Sequence, residues 1–333
     1  MTEPNAAAIV PQRDTREERR RALLWQIVDD YSLIGIFVVL FVVLSATVRY
    51  FFSWDNVVGL ALSVSQIGMV ACTMMFCLAS RDFDLSVGST VAFAGVLCAI
   101  VSNATGSVAI GVAVSLAAGA LVGFVNGAVI AKLKINALIT TLATMEIVRG
   151  LAFIASHGQA VGVTNESFFA LGSAEFIGLP VPVWVTLACF VVFGVLLNKT
   201  AYGRNTLAIG GNPDAARLAG VAVDRVRIAI FLIQGLIAAL AGVILASRIT
   251  SGQPNSGEGF ELNVISACVL GGVSLMGGRA SISGVLVGVL IMGTVQNAMS
   301  LMNIDTFYQY LVRGGILLVA VLVDQLKNRR QSR

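Results

Sequence analysis

Apolar runs of about twenty residues recur along this chain from Tyr31 almost to its end, and that recurrence leaves few folds open. A helix needs about twenty apolar residues to cross the hydrocarbon core of a bilayer. The runs lie near 31–50, 57–79, 85–103, 108–131, 136–156, 181–198, 226–249, 262–276, 282–302 and 307–324. The eighth is short, interrupted by glycine, and a candidate for a broken helix. Hydrophobic residues make up 57% of the 333 and charged residues 12%, against about 25% charged in soluble domains. The expectation is an all-α, polytopic membrane protein with about ten transmembrane helices. A β-barrel is excluded, because its strands would alternate apolar and polar residues. Residues 1–30 read as an N-terminal tail, 31–325 as one transmembrane domain and 326–333 as a C-terminal tail.

Basic residues set the expected orientation, since they accumulate on the cytoplasmic side of spans. With ten spans, the N-terminal arginines share a side with Arg81, Lys132, Lys134, Lys199, Arg204, Arg217, Arg225, Arg227, Arg279 and the C-terminal Lys327, Arg329, Arg330 and Arg333. Only Arg49 and Arg248 fall on the other. Both termini are therefore expected in the cytoplasm. The basic tail at Arg13–Arg21 leads into Tyr31–Val48 without a small-residue cleavage site, so that run reads as a retained first helix. The net charge of +4 comes mostly from residues flanking spans and gives no sign of nucleic-acid binding.

Residues 198–227 form the longest polar interruption in the second half, expected on the cytoplasmic face. Within it a short helix has both ends marked. Asn212 suits the N-cap and Pro213 the first helical position. Asp214 and Arg217 complement the helix dipole, and Gly220 can take the left-handed conformation that ends a helix. Two turns are too few to persist alone. The segment reads either as a peg offered to a soluble partner or as a helix that merely joins two spans.

Charge inside a membrane segment is costly and usually has a partner or a function. Glu146 and Arg149 lie three apart on one expected helix and can pair. Asn136, Thr140, Thr141 and Thr144 give the same segment a polar side. Asn297 and Gln296 mark the ninth span and Arg313 the last. These residues could line a hydrated route or bond helix to helix. Asp82 and Asp84 could form an acid–base dyad, but at a tight turn Asp84 is better placed to cap a helix beginning at Leu85, with Arg81 offsetting the charge. The turn before Leu85-Ser-Val-Gly-Ser has a weak echo at Ser274-Leu-Met-Gly-Gly-Arg-Ala-Ser-Ile-Ser-Gly. Gly119, Gly123 and Gly127, and Gly284 and Gly288, recur at the spacing that lets helices approach closely in lipid.

The five cysteines lie within apolar runs without CxxC spacing, and read as buried small hydrophobes. A single histidine, His157, leaves no His-rich metal site. No lysine sits in a Gly-Lys-Ser/Thr phosphate loop, and neither GxSxG nor HExxH occurs. No metal or cofactor is expected on the chain. An ATP-driven process would have to draw its energy from a partner.

Gly210-Gly-Asn-Pro-Asp-Ala-Ala-Arg-Leu-Ala-Gly220 resembles the cytoplasmic coupling loop of bacterial ABC importer permeases. Asp214, Ala215, Ala216 and Gly220 match its acidic–Ala–Ala–x3–Gly spacing, with Asp in place of the usual Glu. FDLSVGS at 83–89, NGAVIAKLKINALITTLATM at 126–145, LLNKTAYGRNTLAIGGN at 196–212 and GFELNVISACVLGGVSLMGG at 259–278 are similar to the ribose/branched-chain amino acid permease family. The resemblance covers about residues 30–325. It implies a monosaccharide permease of the inner membrane, and ASRITSGQP at 246–254 points within the family to L-arabinose carriers. Ribose, xylose and galactose permeases share most of these motifs, and an ion-coupled sugar transporter is the other transport reading. The resemblance also implies a permease homodimer, a periplasmic sugar-binding protein and an ABC ATP-binding subunit, often a tandem-cassette chain, that would consume the ATP and Mg. It assigns the coupling loop to Gly210, Gly211, Asn212, Asp214, Ala215, Ala216, Arg217 and Gly220. Asn136, Thr140, Thr144, Glu146 and Asn297 remain as candidates for the translocation pathway.

Overall fold

The computed structural model describes residues 33–331. The expected N-terminal tail and its arginines lie outside the described residues. Helices account for nearly everything else. They are α1 (Leu33–Thr47), α2 (Trp54–Ala79), α3 (Val87–Thr105), α4 (Val108–Lys132), α5 (Ala137–Ala155), the four-residue α6 (Ala170–Ser173), α7 (Val181–Lys199), α8 (Ala201–Gly211), α9 (Pro213–Leu218), α10 (Val223–Arg248), α11 (Phe260–Leu270), α12 (Ile282–Leu301) and α13 (Thr306–Gln331). Seven of these, α2–α5, α7, α10 and α12, are long and apolar enough to cross a membrane. The apolar stretches of α1, α11 and α13 are shorter. The last helix runs past the expected boundary at 325 to Gln331.

Two antiparallel pairs of two-residue strands decorate the helices. In the first, β1 (Val161–Gly162) pairs with β4 (Ser251–Gly252). In the second, β2 (Glu175–Phe176) pairs with β3 (Leu179–Pro180).

The core forms around α2, whose residues from Val64 to Ala79 are all buried. Beside it α10 packs against α2, α3 and α4. Small residues permit that centre. A Cβ on Gly123 of α4 would overlap the carbonyl of Phe231 in α10, and one on Gly235 would overlap the carbonyl of Gly119. Backbone meets backbone here because lipid offers apolar side chains little incentive to leave it, so close van der Waals packing must hold the helices. Gly284 and Gly288 of α12 make the same approach to the end of α11.

Candidate functional site

The expected two-turn helix is α9. Its start is fixed by Asn212, whose Oδ1 accepts bonds from the backbone N–H groups of Asp214 and Ala215, both at 3.0 Å. At its end Gly220 takes φ +86°. There the N–H of Gly220 donates to Arg217 O and that of Val221 to Ala216 O, each at 3.0 Å. This is the paired closure that satisfies the last carbonyls of a helix. Inward, Ala216 is buried against Ile209 and Val223. Outward, Leu218 is 91% exposed, and the side chains of Asp214 and Arg217 sit 3.4 Å apart near solvent. Such exposed pairs contribute little to stability.

Two distant turns meet at the base of α9. One joins α2 to α3 and the other, residues 271–281, joins α11 to α12. Arg81, at φ +66°, donates through Nε to Met276 O at 2.5 Å and through Nη2 to Gly211 O at 3.0 Å. The N–H of Gly278 donates to Ala79 O at 2.9 Å. Gly210 lies so close to Ala79 O and Gly278 N that a Cβ there would overlap both, whereas one on Gly211 would meet nothing within 4 Å. The two stretches that echo each other in sequence are thus joined at the helix that carries α9.

Sequence reasoning gave Arg81 to the neighbouring carboxylates, and the fold corrects that. Arg227, from the first turns of α10, is the cation that pairs with Asp82, with Nε 3.1 Å from Oδ2. Nor does Asp84 cap a helix at Leu85. The helix begins two residues later, at Val87, and Asp84 Oδ1 instead accepts from the N–H of Ser86 at 2.9 Å and its hydroxyl at 2.6 Å. A cavity of about 610 Å³ opens between this turn, the α4–α5 connection and α9; Arg81, Asp82, Lys134, Asn136, Asp214 and Arg227 are among its lining residues.

From Asp84 a buried polar chain crosses to α5. Asn126 Nδ2 donates to Ser86 Oγ at 3.0 Å, and Thr144 Oγ1 donates to Asn126 Oδ1 at 2.7 Å. Thr141 adds a bond to Phe83 O at 3.2 Å. Of the pathway candidates, Thr144 alone joins this chain. Asn136 caps α5, accepting from Leu138 N at 2.9 Å, and Thr140 bonds back to Asn136 O at 3.0 Å. Glu146 is exposed. The expected Glu146–Arg149 pair is replaced by bonds from Arg149 Nη1 to Pro254 O at 2.6 Å and Ser256 O at 2.7 Å. Asn297 exchanges two amide bonds with Asn56, at 3.0 and 2.9 Å, which tie α12 to the start of α2.

Residues 56–321 match the family described as branched-chain amino acid transport system / permease component. The chain belongs to this permease family. It is 61% identical to the L-arabinose transport system permease protein AraH of Escherichia coli K12, over 90% of this chain and 92% of the relative. It is 54% identical to the L-arabinose ABC transporter permease protein AraH of Azospirillum brasilense, over 99% and 98%. The ribose import permease protein RbsC of Bacillus subtilis is 41% identical over 89% and 92%. No solved structure matches significantly. This permease is a multi-pass protein of the bacterial inner membrane.

Burial pushes the Asp82 carboxyl up from 3.8 to about 6 against the pull of Arg227 and Ser80. Asp84 rises to about 6 for the same reason, against its bonds from Ser86. A raised folded value means the folded permease holds these protons more tightly than the unfolded chain does. The folded state therefore loses stability as pH rises between the two values and regains it as pH falls through about 6. Asp84→Asn keeps an acceptor for Ser86 and removes the charge. The variant should melt above wild type at pH 7.5, with a smaller difference at pH 5; equal differences at both pH values would refute the assignment.

Proposed function

We propose that this chain is the membrane-spanning permease of an ATP-driven L-arabinose importer, working as a homodimer. Its companions would be an ATP-binding subunit, with both cassettes in one chain, and a periplasmic sugar-binding protein. The observation that carries the substrate is the order of the relatives. Those named for L-arabinose are 61% and 54% identical, and the ribose permease of Bacillus subtilis 41%.

The geometry supports a division of labour. In this reading α9 is the peg that the ATP-binding subunit grips, and ATP and Mg act in that subunit alone. Arg81, Gly210 and Gly278 bind the base of the peg to the ends of α2 and α8 and to the 271–281 turn. A displacement of the peg therefore reaches several spans at once. ATP binding to one state of the partner more tightly than the other would shift the bundle between inward- and outward-open forms as packed bodies.

The test is uptake of radiolabelled L-arabinose by cells lacking their own route. The permease is expressed with its ATP-binding and sugar-binding companions, and unlabelled ribose, xylose and galactose compete. Accumulation is expected only with the companions present, inhibited most by L-arabinose. Accumulation by the permease alone in vesicles under a proton or sodium gradient would make it an ion-coupled carrier.

A further inference from the structure

α11 is only 11 residues long, about 16 Å of helix, and cannot cross a bilayer core of about 30 Å. The rest of that crossing is non-helical. After α10 the chain pairs through β4, then descends along α3, with Gly252 against Gly95 and Gly257 against Gly88. α11 starts there, beside the first turn of α3, at Gly259 with φ +70° and no side-chain cap. The N-cap of α3, Ser86, also makes no side-chain cap bond. Two helix beginnings, neither with a side-chain cap, thus lie together inside the bundle.

Their depth follows from the polar chain. Ser86 reaches Thr144 through the single side chain of Asn126. Thr144 is seven residues into the 19-residue α5, about 10 Å along a helix of about 28 Å. Irregular backbone at such depth is tolerated only where protein buries it or water reaches it. Five charged side chains gather from this level to about 8 Å further along α5: Arg149, Glu146, Glu258, Glu261 and Arg313, whose guanidinium lies beside Gly259. Arg149 holds the carbonyls of Pro254 and Ser256, with Glu146, Glu258 and Glu261 acting on its charge. The Glu261 carboxylate lies against Gly88 in the first turn of α3. Asn263, in the first turn of α11, is 9% exposed and its Oδ1 has no hydrogen-bond partner. Glu146 and Glu258 are exposed on the single chain. Carboxylates at this depth are too costly to leave against lipid tails, so they face the interior of the assembled permease or a water-filled cavity.

We propose that the break before α11, with Arg149, Glu258, Glu261 and Asn263, is a transient binding site for the neutral sugar midway through the permease. This rests on the sugar-import reading above. A sugar hydroxyl both donates and accepts. Carboxylates and the Asn263 carbonyl oxygen accept from it, and the guanidinium donates to it. Acceptors and a donor held side by side suit a polyol, each of whose hydroxyls does both.

All five native cysteines are buried, so single cysteines can report on this face in the complete importer. Glu146→Cys and Glu258→Cys are compared with Val191→Cys, at an exposed apolar position of α7. A membrane-impermeant, charged thiol reagent should modify the first two at least about tenfold faster than the third, because the thiolate that reacts forms in water and not in lipid. L-arabinose, with the binding protein and ATP-binding subunit present, should slow modification of Glu258→Cys at least about threefold by occupancy; mannitol should not. Rates no higher than at Val191→Cys, or no slowing by L-arabinose, overturn the site. If wild type still imports L-arabinose in that case, only the site falls. If wild type imports none, the reading beneath it falls as well.

Discussion

Gly210→Ala should abolish uptake, while Gly211→Ala leaves it near wild type. The two glycines are neighbours at the end of α8, and helix propensity treats the two changes alike, favouring alanine by up to about 1 kcal/mol. Their surroundings decide otherwise. The new methyl at 210 would coincide with Ala79 O and crowd the N–H of Gly278, while at 211 it meets nothing within 4 Å. Both obstacles at 210 are backbone, so neither can swing aside as a side chain would. Ala79 O also accepts the bond from Gly278 N at 2.9 Å, and Gly277 packs against Gly210 from the other side. To fit the methyl, α2, α8 and the 271–281 turn must part. Overpacking typically costs about 1–3 kcal/mol, and here it also strains the junction that carries α9. Uptake rates and melting temperatures of the two variants check the contrast. Wild-type values for Gly210→Ala would mean that the three segments do not meet as described.

Local chemistry made much of this fold legible. Each of the ten expected apolar runs overlaps a helix among the described residues, and seven of those helices are long and apolar enough to cross a membrane. The caps of α9 were readable because Asn212, Pro213 and Gly220 act on backbone within a few residues of themselves. The shortness of the eighth span could be seen from its glycines, though not the extended segment that completes it. Side-chain partners were legible only when they were neighbours in sequence, and the fold often chose others. Asp82 lies beside Arg81, yet a left-handed turn points Arg81 toward Met276 and Gly211 and leaves the carboxylate to Arg227. Glu146 and Arg149 share a helical face, yet the guanidinium takes two loop carbonyls more than a hundred positions away. Asn126 carried a signal that sequence reasoning passed over, a lone amide in an apolar run. Such a group usually finds partners when buried, and this one has Ser86 and Thr144.

The second large effect is expected at Leu218. Leu218→Asp should leave the permease folded and inserted but lower uptake at least about tenfold, through loss of contact with the ATP-binding subunit. Helix α9 is held by its Asn212 cap, by its Gly220 closure and by Ala216 against Ile209 and Val223. Leu218 takes no part in these, being 91% exposed, and surface changes away from such features usually move stability by less than about 0.5 kcal/mol. Its large apolar side chain stands on the outer face of the two-turn helix, where a docking subunit would bury it. Burying a carboxylate in its place would leave that charge without a partner. Gly220→Arg tests the same surface from the other end. There is open space around Gly220, so the arginine meets no clash, but φ +86° disfavours any side chain by about 1–2 kcal/mol. That variant should insert normally, and its companion subunit should hydrolyse ATP without driving uptake. Copurification with the ATP-binding subunit separates the explanations. Leu218→Asp should lose the partner while matching the wild-type melting temperature. If Leu218→Asp keeps both its partner and its uptake, α9 only connects α8 to α10, and the motor must grip the permease elsewhere.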